Sequence, residues 1–344
     1  MKLVLVTDAW PPQVNGVVRT LQETIRILEA AGHRVDVIAP DGFRCMPCPT
    51  YPEIPLALFP GRAVARRLGA AAADAVHIVT EGPLGLAARR YCLREGMPFT
   101  TAYHTAFPEY VEDRLRGTGG IAYAYLRRFH AASRAVMVPT DTMIERLAQR
   151  RFDHLAHWSR GVDGTLFRPR SKAFLGDTRP IYLYAGRVAP EKNIDAFLKL
   201  KLSGTKYVVG AGPSLKRLQA TYPDARYTGY VDDETLASFY AAADVFVFPS
   251  RSETFGLVLL EALASGLPVA AYPVTGPLDV IGASGAGCLD ANLADAVEGA
   301  LGLSPELCRA HALTFSWQDA TEQFLAHVVR ANHRQPVAEV EKAR

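Results

Sequence analysis

Short apolar runs alternate with amphipathic stretches along almost the whole chain. The apolar runs are mostly uncharged, which is typical of buried strands in a parallel sheet. They occupy residues 3–6, 35–38, 75–79, 135–138, 181–185, 207–209, 245–248 and 269–271. The intervening stretches with apolar positions at helical spacing are 17–31, 194–202, 214–221, 233–242, 256–266 and 317–330. This alternation predicts an α/β protein with doubly wound parallel sheets and helices on both faces.

The alternation stops after residue 160 and starts again near residue 181, across a polar stretch without a period. A chain of 344 residues is long for one core and suits two domains. We therefore predict two Rossmann-like domains, followed by a C-terminal helix that packs on either domain and a tail that frays. The predicted division is 1–165, 166–316 and 317–344.

Composition and charge narrow the class of protein. A hydrophobic content of 49% with 21% charged residues describes a soluble globular protein, and the N-terminal apolar run is too short for a signal peptide. Five scattered cysteines suit a reducing cytosol, so we expect a cytoplasmic location. The Cys45-x-x-Cys48 pair is typical of a loop with free thiols, and a redox or metal role is the less favoured interpretation.

The charge is unevenly distributed along the chain. Residues 1–160 hold 20 lysines and arginines against 15 acidic residues, a net charge of +5, whereas residues 161–330 carry −3. A basic first half favours an anionic partner there, such as a lipid headgroup or a membrane surface. The excess is too small and too scattered to indicate a nucleic-acid partner.

One helical stretch carries an isolated acidic residue. Glu261 is the only charged residue between Thr254 and Ala271, and Glu253 lies just before the helix that Gly256 opens. Burying such a carboxylate is costly without polar partners. Two carboxylates around a helix N-terminus fit a phosphate flanked by hydroxyl groups, as in a nucleotide sugar. A solvated Glu261 with a capping Glu253 is the alternative.

The loops that follow strands supply further candidates, because ligands of open α/β sheets lie beyond the carboxyl ends of the strands. Gly16 begins a helix after the first strand, and His104 ends another strand. Either could be an ordinary turn or a structural side chain. Arg187 and Lys192 bracket a loop that opens a helix, where two cations suit a diphosphate leaving group unless they are surface charges.

Taken together, these loops resemble the family 4 retaining glycosyltransferases of the GT-B fold, in which two Rossmann-like domains face a cleft. The resemblance runs from Met1 to about Arg330. It is carried by Glu253-x7-Glu261, Gly186-Arg-Val-x-x-Glu-Lys192-Asn193, Gly161-Val-Asp163 with Phe167-Arg-Pro169, and Tyr103-His-Thr105. The segment Asn15-Gly16-Val17 looks like the subgroup of glycolipid-making enzymes and α-mannosyltransferases, whereas Thr275-Gly-Pro-Leu-Asp279 departs from the usual family pattern.

The resemblance implies a role for each candidate. Glu261 would bind the ribose, Glu253 the donor sugar, and Arg187 with Lys192 the diphosphate, with His104 near the reacting centre. The remaining donor contacts would come from Gly16, Gly186, Gly212, Val231, Phe255, Gly256 and Leu257. The donor would be a UDP- or GDP-linked hexose or hexuronic acid, transferred with retention. No metal cofactor is expected, because Asp232-Asp233 is better placed to cap a helix than to bind an ion.

The acceptor is predicted to be a membrane lipid reached from the cytosol. Residues 54–68 combine an apolar run through Phe59 with Arg62, Arg66 and Arg67 on a predicted helix. A soluble α-mannosyl- or glucosyltransferase acting on a saccharide remains the alternative. Other classes on the same scaffold are a sugar-nucleotide epimerase, a phosphorylase, and a non-catalytic sugar-nucleotide sensor.

Overall fold

The computed structural model describes residues 1–48, 54–105, 108–109 and 118–333. Contacts divide these residues into two compact units. The first contains residues 1–104, 118–159 and 320–333, and the second consists chiefly of residues 160–319. The units therefore part after Ser159, a few residues before the predicted boundary. The C-terminal tail, predicted to fray, lies outside the described residues.

The first unit is built on a parallel sheet of six strands in the order β2-β1-β5-β6-β7-β8, with β3 and β4 forming a separate antiparallel ribbon. The strands are β1 (Lys2–Val6), β2 (Arg34–Ile38), β3 (Cys45–Pro47), β4 (Pro55–Ala57), β5 (Ala75–Ile78), β6 (Phe99–Ala102), β7 (Val136–Val138) and β8 (Leu155–His157). The helices are α1 (Gly16–Ala30), α2 (Gly61–Ala71), α3 (Pro83–Arg94), α4 (Gly119–His130) and α5 (Asp141–Gln149).

The core of this unit covers both faces of the sheet. Val4 and Val6 of β1 pack in one cluster, while Leu3 and Leu5 pack in another on the opposite face. This is the expected result of side chains that alternate along a strand buried on both sides. The second cluster also contains Phe324 from the C-terminal helix, so residues of that helix complete the core of the first unit.

The second unit contains a parallel sheet in the order β11-β10-β9-β12-β13-β14. Its strands are β9 (Ile181–Ala185), β10 (Thr205–Val209), β11 (Arg226–Gly229), β12 (Val245–Phe248), β13 (Val269–Ala271) and β14 (Gly287–Leu289). Its helices are α6 (Ile194–Leu198), α7 (Leu215–Thr221), α8 (Asp233–Ala242), α9 (Leu257–Ala264), α10 (Pro277–Val280), α11 (Leu293–Ala300) and α12 (Pro305–Ala312), and α13 (Trp317–His333) continues into the first unit. The strand order is that of the Rossmann fold. Successive strands are added on one side of β9 as far as β11 and on its other side from β12 onward, so the strand order reverses between β9 and β12.

The predicted fold class is confirmed, and most predicted elements agree with the structure. The strand predicted at 245–248 and the helix predicted at 233–242 have the same bounds in the structure. The helix predicted at 194–202 ends at Leu198, where the Lys206 ammonium donates to the Leu198 carbonyl oxygen at 2.8 Å and also bonds the Leu200 carbonyl. A side chain that binds these carbonyls stabilises an early helix end.

The strands that sequence reasoning missed are β3, β4, β8, β11 and β14, whereas β6, which is not an apolar run, was predicted as the strand that His104 ends. Of these, β8, β11 and β14 are sheet edges, and β3 pairs with β4 outside the main sheets. None of them has the fully buried run of β12, because an edge strand leaves part of its surface exposed. Within the described residues, no helix is long and apolar enough to cross a membrane.

Candidate active site

The candidate site of the second unit lies where the strand order of its sheet reverses, between β9 and β12. The loop after β9 contains Arg187 and Lys192, and the loop after β12 contains Glu253. Since β9 and β12 are neighbouring parallel strands, their carboxyl ends bring these two loops together. This is the position at which open α/β sheets bind ligands.

A direct ion pair joins two residues that the sequence places 61 positions apart. The Lys192 ammonium lies 2.8 Å from Oε2 of Glu253, and the two side chains are 19% and 14% exposed. Glu253 Oε1 also accepts a hydrogen bond from the Thr254 N–H at 3.1 Å. Each charge therefore orients the other, and both side chains have limited access to water.

Arg187 is oriented by a carboxylate of its own loop. Its guanidinium lies 3.3 Å from Oε1 of Glu191, whose side chain is buried. The Tyr184 hydroxyl donates to the Arg187 carbonyl oxygen at 2.7 Å, which holds the backbone at the end of β9. Sequence reasoning assigned no role to Glu191, because Arg187 and Glu191 lie outside any α-helix and the i,i+4 rule predicts contacts only on a helix.

Glu261 is buried, with 6% of its surface exposed. The Tyr240 hydroxyl donates to its Oε2 at 3.1 Å. The interpretation of Glu261 as a solvated side chain is therefore wrong, and the expectation of a polar partner is confirmed. Tyr240 lies on the preceding helix α8, and no sequence spacing indicates that it meets Glu261.

The start of α9 requires a glycine. Gly256 has a φ of 87°, in the left-handed region that favours glycine. A Cβ on Gly256 would lie 3.0 Å from the Leu259 side chain. Phe255 before it is buried, while Leu257 begins the helix, so the N–H groups of this turn are those not used inside α9.

Glycines also permit backbone contact between neighbouring loops of the second unit. A Cβ on Gly210 would lie 2.0 Å from the Gly186 carbonyl oxygen, and one on Gly212 would lie 2.4 Å from the Val188 carbonyl oxygen. Larger residues would push these loops apart. The candidates Gly186 and Gly212 thus belong to one packed layer at the carboxyl ends of β9 and β10, and Val231 follows β11.

Two candidates belong to the first unit. Gly16 is the first residue of α1, whose N-terminus is capped by Asn15 through bonds of 3.0 Å from the Val17 and Val18 N–H groups. His104 follows β6, and its ring contacts Trp158 edge to face with centroids 5.5 Å apart. As predicted, Gly16 begins the helix that follows the first strand, and His104 lies just beyond the carboxyl end of a strand.

In the segment predicted to contact a membrane surface, Phe59 is almost fully exposed to solvent, with 97% of its surface accessible, and has a φ of 48°. Arg62 and Arg66 on α2 are exposed. Arg67 is engaged, because it donates to the Gly42 carbonyl oxygen at 3.1 Å and lies over the Phe43 ring. The structure thus separates Arg67 from the two arginines that remain available to a partner.

Asp232 caps α8, as predicted. Its Oδ1 accepts a hydrogen bond from the Thr235 N–H at 2.7 Å, and this bond lowers the pKa of the Asp232 carboxyl. Stabilising the ionised form in this way is the normal behaviour of an acidic N-cap.

Comparison with known proteins identifies the family. The profile of Glycosyltransferase Family 4 matches residues 14–165, and that of Glycosyl transferases group 1 matches residues 179–302. A GDP-mannose-dependent alpha-mannosyltransferase of Mycobacterium tuberculosis is 32% identical over 82% of this chain and 81% of its own. An alpha-monoglucosyldiacylglycerol synthase of Streptococcus pneumoniae is 28% identical over 79% of this chain and 71% of its own.

Among solved structures, a sucrose-phosphate synthase of Thermosynechococcus elongatus superposes with a TM-score of 0.76, covering 96% of this chain and 98% of its own at 20% identity. The fold and these matches define a hexosyltransferase with the GT-B fold. The chain belongs to glycosyltransferase family 4. Among the classes that the sequence left open, this membership favours glycosyl transfer over epimerisation, phosphorolysis or sensing.

Proposed function

We propose that this enzyme transfers a hexose or hexuronic acid from a UDP- or GDP-linked donor to an acceptor hydroxyl, with retention of configuration. The observation that carries the proposal is the Lys192–Glu253 pair at the reversal point between β9 and β12. In this pair, a cation that would hold the diphosphate lies directly beside a carboxylate that would hold the sugar hydroxyls. Such a pair suits the junction between phosphate and sugar in a nucleotide sugar, at the position where open α/β sheets bind ligands.

The other candidates take the roles that their positions favour. Glu261, braced by Tyr240, accepts hydrogen bonds from the ribose hydroxyls. The N–H groups at Phe255, Gly256 and Leu257 meet the sugar and phosphate at the start of α9. In the second unit, Gly186, Gly212 and Val231 complete the base and diphosphate subsites. The roles of Gly16 and His104 stay predictions from the family resemblance.

The chemistry follows from where charge develops. As the glycosidic bond to the diphosphate breaks, positive charge grows at the anomeric carbon and negative charge on the departing diphosphate. Arg187, Lys192 and the N-terminus of α9 stabilise the second charge. Glu253 and Glu191 hold the two cations in place before the reaction, so little reorganisation is needed. The departing phosphate accepts the proton of the attacking hydroxyl, so no side-chain nucleophile is required.

The direct test of this function is a donor screen. The purified enzyme is incubated with UDP-glucose, UDP-glucuronate and GDP-mannose, and free UDP or GDP is measured with a diacylglycerol, with a soluble mannoside, and with neither. Acceptor-dependent release with one donor supports the proposal, and the anomeric configuration of the product tests retention. Conversion of the donor to its epimer, without transfer of the sugar to an acceptor, would contradict the proposal.

The enzyme is expected to work without a metal ion. Arg187 and Lys192 already supply two positive charges for the diphosphate, and Asp232 is occupied by capping α8. Activity measured in excess EDTA should therefore stay within about twofold of the untreated enzyme. A metal-dependent glycosyltransferase assayed in parallel shows that the chelator is effective. Complete loss that added Mg²⁺ or Mn²⁺ restores would overturn this expectation.

The acceptor is proposed to be a membrane lipid, approached through the surface formed by Phe59, Arg62 and Arg66. Phe59 is exposed at the start of α2, and the two arginines follow on one side of that helix. The relative from Streptococcus pneumoniae has a diacylglycerol lipid in its name, which supports a lipid acceptor. Basic residues near an anionic leaflet contribute about 1 kcal/mol each, so two of them produce weak, salt-sensitive docking.

Sedimentation with anionic vesicles measures this docking. The wild type is expected to bind phosphatidylglycerol vesicles at low salt and to dissociate at high salt. An Arg62→Glu/Arg66→Glu variant should lose binding, because both charges are reversed while the Arg67 contacts stay intact. A Lys201→Glu/Lys216→Glu variant makes the same charge change at exposed positions of the second unit and should bind normally. Equal binding by both variants would remove the membrane proposal and leave the donor chemistry untouched.

A further inference from the structure

The sheet of the first unit has its own reversal point. β2 lies on one side of β1 and β5 lies on the other, so the strand order reverses between β1 and β5. Residues 79–82 form the loop that leaves β5 at this point and leads into α3. By the same rule that locates the site of the second unit, this edge is where a ligand of the first sheet binds.

A buried carboxylate holds this loop in place. Asp8, which follows β1, accepts hydrogen bonds from the Thr80 hydroxyl at 2.8 Å and the Leu84 N–H at 3.0 Å. A Cβ on Gly82 would lie only 2.5 Å from Cγ of Asp8, so the loop passes directly against this carboxyl group. Burial raises the pKa of Asp8. Asp8 thus stabilises the N-terminus of α3 and fixes the residues on both sides of Glu81.

Glu81 is the acidic residue that this loop presents. The Tyr125 hydroxyl donates to the Glu81 carbonyl oxygen at 2.6 Å, which fixes the backbone. On the side chain, Nε2 of His130 lies 3.2 Å from Oε1. The Glu81 side chain nevertheless remains 23% exposed. The buried His130 therefore orients the Glu81 carboxylate, which is still partly exposed at the carboxyl edge of the sheet.

His130 is in turn held by a buried polar network. It is 1% exposed, and its Nδ1 lies 2.9 Å from the Thr101 hydroxyl. Thr101 donates to the Ser133 hydroxyl at 3.1 Å, and Ser133 donates to the His130 carbonyl oxygen at 2.8 Å. Because a carboxylate can only accept, the bond to Glu81 needs the proton on Nε2, and the network fixes the ring that supplies it.

We propose that Glu81 binds a hydroxyl group of the acceptor and that His130 is its positioning residue. The proposal rests on the glycosyltransferase function argued above, which needs a second substrate with a free hydroxyl. The ligand class is the uncharged, hydroxyl-bearing part of the acceptor, such as a glycerol or sugar hydroxyl, since a fixed carboxylate accepts from hydroxyls and repels phosphate. An oriented carboxylate loses little freedom when it binds, which favours a substrate contact over a purely structural one.

The test separates the acceptor from the donor. Steady-state transfer is measured with dioctanoylglycerol in micelles and with methyl α-mannoside, each varied against saturating donor and the reverse. For Glu81→Gln we expect the acceptor KM to rise by about tenfold or more, since a hydrogen bond to a charged group is lost. The donor KM and the slow donor hydrolysis without acceptor should not change. Glu95→Gln, at an exposed carboxylate after α3, is the matched control and should behave as wild type.

Two substitutions of His130 test its positioning role. The amide of His130→Gln can reach the Nε2 position and keep the bond to Glu81, whereas that of His130→Asn overlays Nδ1 and keeps only the Thr101 bond. We expect the acceptor KM to stay within about threefold of wild type for the glutamine variant and to match Glu81→Gln for the asparagine variant. Thermal unfolding checks that both variants fold, and Glu81→Gln decides the proposal alone if they do not.

The possible failures are distinguishable. A wild type that transfers sugar normally, with an unchanged acceptor KM in Glu81→Gln, overturns the Glu81 proposal and leaves the glycosyltransferase function standing. An equal rise in donor and acceptor KM also overturns it, because that result places Glu81 outside a specific acceptor contact. A wild type that transfers sugar to neither acceptor contradicts the proposed function, and the Glu81 proposal falls with it.

Discussion

Replacing Lys192 with alanine is expected to lower kcat by on the order of 10²–10³-fold and to leave the fold intact. The lysine lies in the loop after β9, 2.8 Å from Glu253, where it can stabilise the negative charge of the departing diphosphate. Losing one such donor removes an interaction that strengthens in the transition state, so kcat falls more than the affinity for the donor. Steady-state kinetics with donor in excess measure the loss, and thermal unfolding checks the fold.

A second variant separates two causes of that loss. Lys192→Ala also leaves Glu253 without its cationic partner, and the remaining carboxylate could repel the diphosphate. In Lys192→Ala/Glu253→Gln this repulsion is removed while the cation is still missing. We expect the double variant to stay as inactive as the single one. Near-normal kcat/KM in Lys192→Ala contradicts the assignment, whereas recovery in the double variant shows that repulsion caused the loss. Lys199→Ala, at an exposed lysine just after α6, is the control.

Replacing Glu261 with alanine is expected to lower kcat/KM for the donor by on the order of 10²-fold or more. The carboxylate is buried on an otherwise apolar helix and can accept charge-assisted hydrogen bonds from two ribose hydroxyls. Each bond of this kind contributes about 1.5–3 kcal/mol, so the loss of both is large. The free energy of unfolding should change little, because the substitution removes a buried charge whose desolvation offsets its bond to Tyr240.

Tyr240→Phe tests how Glu261 is held. It removes the hydroxyl that donates to Oε2 at 3.1 Å and keeps the ring that packs among Phe167 and Phe246. We expect a moderate rise in the donor KM, about tenfold, since the carboxylate stays but loses one bond that orients it. Inhibition of the reaction by UDP is compared with inhibition by pyrophosphate, which lacks the nucleoside. Weaker inhibition by UDP alone shows that the lost affinity is at the nucleoside. Glu261→Ala with near-normal kcat/KM would show that the ribose contact lies elsewhere.

The local pattern of apolar and polar residues predicted those strands whose residues are all buried. β9 and β12 are buried on both faces, so their sequences are continuous apolar runs that stand out from their surroundings. β8 and β11 lie at sheet edges with only part of their surface covered, and their sequences do not differ from those of loops. The end of α6 was missed for another reason: the Lys206 side chain that stabilises it comes from a different element.

The site divides along the same line. The spacing of Glu253 and Glu261 around Gly256 is local, so the sequence by itself determined that two carboxylates frame a helix N-terminus and that the chain resembles a family of glycosyltransferases. Only the tertiary structure decided that Lys192 meets Glu253, that Tyr240 bonds Glu261, and that His130 holds Glu81. These contacts join residues 61, 21 and 49 positions apart. They depend on which strands become neighbours, and sheet order is set by the burial of whole strands and helices, which no local spacing records.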